Sequence, residues 1–424
     1  MSKLDRDTLY PWLAILRAKF MGSSRARVLV ERFGSINAAL NASVEAIASV
    51  PRFNEEMGRA VREAARGKYD DEIERELNWC ERNGVKIMLQ SDPGFPEPLK
   101  QIPAAPALLY VKGKILPQDL LSIGIVGTRL ASDAGKRTTN KIARELAEAG
   151  LTIVSGLAWG VDASAHKGAL KCKTGRTLAV LGNGLKYIYP KEHKSLYEQV
   201  FRRGALITEL FPAVAPDKRN FPPRNRIISG LSLGVLVAEA PARSGALITA
   251  NYALEQGREI FALPGAVDQW NAEGANKLIS DSAAKLVTSA DDILRELEDK
   301  IAYYVHEMKG DIQKFVPPPE EPPIVIEDDE EPIEPEATEP PKQEKKEMPA
   351  APTQKPAAVN LAALNLSDDE NVILQKLTED AVQIDALCRE LDWPIARVSS
   401  ALGLLELKGL ADREAGMRFR KADG

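Results

Sequence analysis

Seven short apolar runs, each rich in β-branched residues, recur through the middle of the chain. They are LSIGIVGT (121–128), LTIVSG (151–156), TLAVLG (177–182), ALITEL (205–210), LGVLVAEA (233–240), EIFALPG (259–265) and AKLVTSA (284–290). Helix-like segments separate most of them. Strands this continuously apolar are buried on both faces, and parallel strands need crossover helices between them. The pattern restricts the centre of the chain to one α/β fold: a Rossmann-like, doubly wound, mostly parallel sheet with helices on both sides.

The flanks follow other rhythms. Residues 8–68 place apolar positions at helical spacing, with breaks at Gly34 and at VPRF (50–53), and predict a small helical domain over 1–70. Residues 76–120 include SDPGFPEPL and IPAAPALLY and read as irregular, opening a central domain over 71–312. From Val316 to Met348 there are twelve acidic residues, three basic residues and nine prolines. Such a segment cannot bury enough apolar surface to order itself, so 313–360 is expected to be a disordered acidic linker. Ser367 to Glu370 then forms a capping box, helices fit 384–391 and 394–407, and 410–422 reads as a hairpin turning at Gly416. That order predicts a C-terminal winged helix over 361–424.

The net charge of −5 for the whole chain becomes +4 once the acidic stretch, at −9, is set aside. A mildly basic body is compatible with a polyanionic partner. Cys80, Cys172 and Cys388 are scattered without CxxC spacing, which argues against structural zinc and fits a reducing, cytoplasmic location. No apolar h-region or run long enough to span a membrane is seen, so neither a signal peptide nor a membrane partner is expected.

In open parallel sheets, ligands bind beyond the carboxyl ends of the strands. The loops there begin at Gly127, Gly156, Gly182, Glu239 and Pro264, and glycine lets the backbone approach a ligand. Each is expected to lead into a helix N-terminus, whose free amides favour anions. None matches GxGxxG or the Walker pattern, so no nucleotide cofactor is expected. Arg129, set beside exposed amides after a glycine turn, suits a phosphate. Asp162 and His166 stand four apart, but the sequence offers no third ligand. A capping Asp162 and a hydrogen-bonded core His166 explain them without a metal. Ser244 and Thr249 lack a partnering base, so no catalytic residue is expected.

FPPRNRIISG (221–230) poses an electrostatic question. Prolines mark a helix start near Pro223, which is already the positive pole of the helix dipole, and yet Arg224 and Arg226 follow. With Lys218 and Arg219 upstream and Phe221 between, the cluster has the composition of a single-stranded nucleic-acid site: cations for phosphates and a ring for a base. Helical spacing puts Ile227, Ile228 and Leu231 on a buried stripe, turns Asn225 and Arg226 away from it, and leans Arg224 over the strand-end rim. The alternative is structural, with Arg226 in an ion pair and Phe221 in the core.

GIVGTR (124–129), SGLAWGVDASAH (155–166), TLAVLGNGL (177–185), YP (189–190), ITE (207–209), FPPRNRIISGLS (221–232), SGALITANYALEQGR (244–258), FALPG (261–265) and GANKLI (274–279) together closely resemble the DNA-processing protein A (DprA or Smf) family. The flanks resemble its longer members, with a sterile-alpha-motif-like helical domain before and a winged helix after. Residues 30–66 also resemble paired helix-hairpin-helix elements, with VPRF in place of the glycine-rich hairpin. The resemblance implies sequence-independent binding of single-stranded DNA, dimerisation, and loading of the RecA recombinase on incoming strands in natural transformation. It implies no catalysis. It places DNA contacts on Gly127, Thr128, Arg129, Ser155, Gly156, Arg224, Asn225 and Arg226, to which the charge pattern adds Lys218, Arg219 and Phe221. Trp159, His193 and Ser282 depart from the residues common in relatives.

Two other functions remain open on sequence. One is a nucleotide N-ribosyl hydrolase, for which Glu239 is the nearest acid, although the PGGxGTxxE segment of such enzymes is missing. The other is a transcription regulator, with Arg397, Lys408, Arg418 and Arg420 of the winged helix meeting phosphates.

Overall fold

The computed structural model describes residues 5–312 and, within 367–421, all but 379–381, 392, 394–396, 399–400, 403–404, 406–409 and 415–417. The chain divides into two compact units, Met1–Asp329 and Glu330–Gly424.

The first unit opens with α1 (Arg6–Arg17), α2 (Ser23–Phe33), α3 (Ile36–Asn41), α4 (Val44–Ala48), α5 (Glu55–Ala65) and α6 (Asp70–Arg82). Asp5, Ser35, Ser43 and Asn54 cap four of these, each side chain accepting an amide that the helix start leaves unpaired. At the end of α2, Gly34 has φ 86°, the left-handed conformation that glycine adopts without steric cost.

Strand β1 (Val85–Leu89), α7 (Glu97–Lys100) and β2 (Leu108–Gly113) come next. The expectation of an irregular 76–120 is corrected here, because β1 and β2 pair antiparallel and join the main sheet. Five of the prolines fall in the link between them and Pro117 follows β2, while VKIML and LLYVKG contain none.

The unit continues with β3 (Ser122–Val126), α8 (Asp133–Glu148), β4 (Thr152–Ser155), α9 (Val161–Lys171), β5 (Thr177–Val180), α10 (Lys194–Arg203) and β6 (Gly204–Thr208). It ends with α11 (Phe221–Leu231), β7 (Gly234–Val237), α12 (Gly245–Glu255), β8 (Glu259–Ala262), α13 (Glu273–Ser280), β9 (Lys285–Leu286), α14 (Ala290–Glu296) and α15 (Glu298–Ile312). The sheet order is β1-β2-β6-β5-β4-β3-β7-β8-β9. From β6 to β9 every neighbour is parallel, so the expected doubly wound sheet is present at the expected strands. The chain steps outward from β3 to β6, then returns through α11 and restarts at β7 on the other side of β3. The topological switch point therefore lies between β3 and β7, where such folds bind ligands.

Alternation along the strands fills both faces. Ile123, Ile125 and Ile153 pack with Ile142, Leu146, Ala165 and Ala169 of α8 and α9. Val126, Val154, Val180 and Val235 pack with Ile227, Ile228 and Leu231 of α11. The N-terminal helices cover β1 and β2, with Leu13, Ile47, Val61 and Leu77 against Ile87, Leu108 and Tyr110. Within that contact the buried Glu76 accepts from Tyr110 Oη (2.7 Å) and Arg17 Nη2 (2.6 Å).

The second unit holds α16 (Asp368–Lys376), β10 (Val382–Gln383), α17 (Ile384–Leu391), β11 (Ala411–Glu414) and β12 (Arg418–Lys421). Its antiparallel sheet has the order β10-β12-β11. Ser367 and Glu370 form the expected capping box. Val398, Leu402 and Leu405, all in helical residues, pack with Ile373, Leu387 and Phe419. The expected linker 313–360, the turn at Gly416 and Lys408 lie outside the described residues.

Candidate nucleic-acid interface

The switch point is closed by backbone and opened by one arginine. After β3 the chain turns at Gly127, where a Cβ would come within 2.8 Å of the Glu239 carbonyl. Thr128 N donates to that carbonyl (2.7 Å) and Val161 N donates to Thr128 O (3.2 Å), tying β3, β7 and α9 together. Arg129 leaves this knot exposed, with its guanidinium 5.2 Å from the centroid of the Phe221 ring.

Phe221 opens α11 and is half-buried. Its ring stacks on Tyr189 (5.6 Å, 28°), and Tyr189 meets Trp159 edge-on (5.9 Å, 68°). Trp159 is 38% exposed and also contacts His193 (6.4 Å). Gly182 makes room for this row, because a Cβ there would run into the Phe221 ring. The strand ends thus carry three partly exposed rings in a row with a cation at one end. The sequence marks Tyr189 only as part of the YP motif and Trp159 only as a departure from relatives, and assigns neither to the site. Their signal was there, since both lie in segments flanking strand ends, but an isolated aromatic in a loop reads as core until the fold brings it to others.

Arg224 lies over the strand ends, as its helical angle predicts, but is buried there, and Arg226 takes the structural alternative of an ion pair instead of turning outward. Arg224 is buried, and its Nη1 donates to Gly156 O (3.0 Å) and to Val180 O, at the ends of β4 and β5. A Cβ on Gly156 would lie 2.5 Å from that guanidinium, so glycine is what admits it. Burial lowers the guanidinium pKa to about 10, against the pull of Asp162. Asp162 is itself buried, which raises its carboxyl pKa while Arg224 holds it down. Arg226 does not point away from the protein: its side chain is 11% exposed. It forks onto Glu209, with Nη1 to Oε1 at 2.7 Å and Nη2 to Oε2 at 2.6 Å, and Nε donates to Ala104 O (3.0 Å). The anionic compensation that this helix start needs therefore comes from within the protein, from Glu209, Asp162 and strand-end carbonyls.

The remaining sequence-selected residues divide in the same way. Ser155 is buried and donates to Ile125 O (2.7 Å), and the buried Thr128 Oγ1 accepts from Leu130 N (3.2 Å). Asn225 is half-buried and donates to Gly245 O (3.2 Å). Lys218 is exposed, as is Arg219, which pairs with Asp217 (2.7 Å) and holds that carboxyl down at about 2. The outward set is therefore Arg129, Lys218, Arg219 and Phe221.

His166 behaves as the core residue expected. Thr177 Oγ1 donates to Ile153 O, so the 2.6 Å contact to His166 Nδ1 makes the imidazole the donor there. Burial lowers its pKa to about 3 and keeps it neutral. Among the described residues no group of three His, Cys, Asp or Glu could hold a metal. Glu239 accepts from Ser132 N (2.8 Å) and Ser132 Oγ (2.6 Å), and that hydroxyl caps α8, so the carboxylate fastens β7 to α8. In the winged helix, Arg397 pairs with Asp369 (2.6 Å) and Arg420 with Asp412 (3.2 Å).

The family model for DNA recombination-mediator protein A matches residues 86–298, half of the chain, and that for the DprA winged helix domain matches 348–417. A protein Smf of Synechocystis is 32% identical over 420 residues, covering 97% of this chain and 98% of its own length. The chain belongs to the DNA recombination-mediator protein A family. Among DprA proteins, that of Bacillus subtilis is 42% identical over 241 residues, 56% of this chain and 80% of its own. The crystal structure of Streptococcus pneumoniae DprA, 32% identical, superposes with a TM-score of 0.60 over 70% of this chain and 99% of that one. The DprA match 86–298 contains every residue of the candidate interface described above.

Proposed function

We propose that the chain binds single-stranded DNA, without sequence preference, along the carboxyl edge of the sheet. The observation that carries this reading is Arg129 lying over Phe221 at the open end of the Phe221–Tyr189–Trp159 row. Bases of any identity can stack on rings, and phosphates meet the flanking cations, so such a surface is sequence-tolerant. In this reading Arg129, Lys218, Arg219 and Phe221 make the direct contacts. Gly127, Thr128, Ser155 and Gly156 bring the backbone close to the strand. Arg224, Asn225 and Arg226 build the wall from behind and supply positive field.

By membership in this family, the bound strand is handed to the RecA recombinase during natural transformation, by a homodimer formed through the central sheet domain. Exposed Ile248, Leu254 and Leu286 offer apolar surface for that dimer. Our domain assignment is a helical module over 1–70, the DNA-binding domain over 71–312, a linker over 313–360 and a winged helix over 361–424, all acting in the cytoplasm without cofactor or catalysis. In the hydrolase alternative the nearest acid, Glu239, is already engaged, accepting from the backbone and hydroxyl of Ser132, the residue that caps α8. In the regulator alternative, Arg397 and Arg420 exchange exposed pairs with Asp369 and Asp412 for phosphates.

The test is binding of the full chain to oligo-dT and to duplex at low and high salt, with Arg129→Ala and Phe221→Ala. We expect a preference for the single strand that falls with salt. Each substitution should weaken binding to oligonucleotides of all sequences alike, Phe221→Ala by about 1–3 kcal/mol for one lost stack. Equal affinity of both variants and the parent would sink the site assignment.

A further inference from the structure

A second basic surface begins where the first ends. Helices α8 and α9 both start from strand-end loops of the candidate interface, α8 just after Arg129 and α9 just after Trp159. They pack closely side by side. A Cβ on Gly168 of α9 would come within 2.8 Å of Ala143 Cβ on α8, and Asn140 Nδ2 donates to Ser164 O (3.3 Å) across the seam. Above that seam runs a groove lined by Lys136, Arg137, Lys141 and Arg144 of α8 and by Lys167 and Lys171 of α9, and no acidic side chain lines it. Positions 136, 137, 141 and 144 share one face of α8, and 167 and 171 share one face of α9, so the cations form two rails. Lys136, Lys141 and Arg144 have acidic neighbours on their own helix, Asp133, Glu145 and Glu148, at 3.3–3.9 Å. Those pairs are exposed and weak, so they yield readily to a phosphate. Arg137 and Lys171 make no ion pair among the described residues.

We propose that this α8–α9 groove is a second contact site for a nucleic-acid backbone, one that carries a single strand onward from the strand-end site along the helices. This rests on the single-stranded DNA reading above and extends its footprint. From Lys136 to Arg144 the rail is about 12 Å long at 1.5 Å per residue. That is room for roughly three or four phosphates at about 3.4 Å per nucleotide of one strand. The groove has no ring among its lining residues, so it contacts phosphates and leaves base stacking to the first site.

The experiment titrates the full chain with oligo-dT of increasing length at several salt concentrations. It compares the parent, Arg137→Gln/Lys171→Gln, and Arg129→Ala. Both groove residues are on the solvent face, and an unchanged melting midpoint confirms folding. We expect the groove variant to match the parent on the shortest oligomers that bind. On long ones it should lose about tenfold in affinity, with a salt slope smaller by roughly 1.4 for two contacts at about 0.7 each. Arg129→Ala should lose affinity at every length. An unchanged length dependence and salt slope in the groove variant overturns the groove alone, whereas unchanged short-oligomer binding in Arg129→Ala overturns the strand-end site. Competition by a polyglutamate peptide of equal charge, as effective as the oligonucleotide, would mark the groove as a general anion surface and also overturn the assignment.

Discussion

Replacing Arg226 by alanine separates a structural arginine from a DNA-contacting one. In the folded chain its guanidinium is forked onto Glu209 at 2.6 and 2.7 Å and also holds Ala104 O and Pro223 O. The two side chains are only 11% and 20% exposed. Truncation leaves the Glu209 carboxylate poorly hydrated and two carbonyls unpaired, and breaking one partner of such a pair costs about 3–5 kcal/mol. At about 2–4 °C per kcal/mol, even the lower figure moves the melting midpoint of a domain of this kind down by roughly 6–12 °C. The assay is thermal and urea unfolding followed by circular dichroism, beside oligo-dT binding measured well below the midpoint. A second variant, Arg226→Met with Glu209→Leu, removes both charges. Apolar replacement of a buried pair is often neutral, so this double variant should regain most of the lost stability, with a coupling energy of about 2–3 kcal/mol. If Arg226→Ala melts like the parent but loses oligo-dT affinity, the guanidinium acts on DNA directly and the ion-pair reasoning is wrong.

Three further expectations follow from the same contacts. Gly182→Ala pushes a methyl group into the Phe221 ring, so it should weaken single-strand binding while the central sheet keeps its far-ultraviolet spectrum; unaltered affinity would show that the ring's position does not matter. His166 titrates near 3 when folded and near 6.5 when unfolded. Between these values the unfolded chain binds a proton that the folded one refuses, so stability falls by about 1.4 kcal/mol per unit as pH drops below about 6.5; urea midpoints against pH should show this slope reduced in His166→Gln, and an identical slope would refute it. The Cys80 thiol is buried and pushed up to about 12, so iodoacetamide at neutral pH should label it only upon unfolding, and rapid labelling of native protein would contradict its placement.

The parallel strands were legible because burial on both faces forces continuous apolar runs, a signal that no single substitution erases. The antiparallel β1 and β2 were not, since the prolines of the 93–106 link dominate their surroundings and hide two short proline-free runs. The winged helix was legible through local chemistry, in the Ser367–Glu370 box and the 384–391 helix. The site was legible as a place but not as a geometry. Helical spacing fixes an angle about the axis, and it cannot say what stands beyond that angle. Around α11 the difference decides the role of each arginine. On one side lie the β4 and β5 carbonyls that take Arg224, and on another lies Glu209, which follows β6. Both partners are distant in sequence, at separations of 68, 44 and 17 residues, so no local pattern announces them. Arg226, which a local reading sends toward solvent, and Arg224, which it sets on the strand-end rim, are both drawn inward by groups the fold brings to them. The anion that the dipole argument required is then found inside the protein, which leaves the outward work to Arg129, Lys218, Arg219 and the aromatic row.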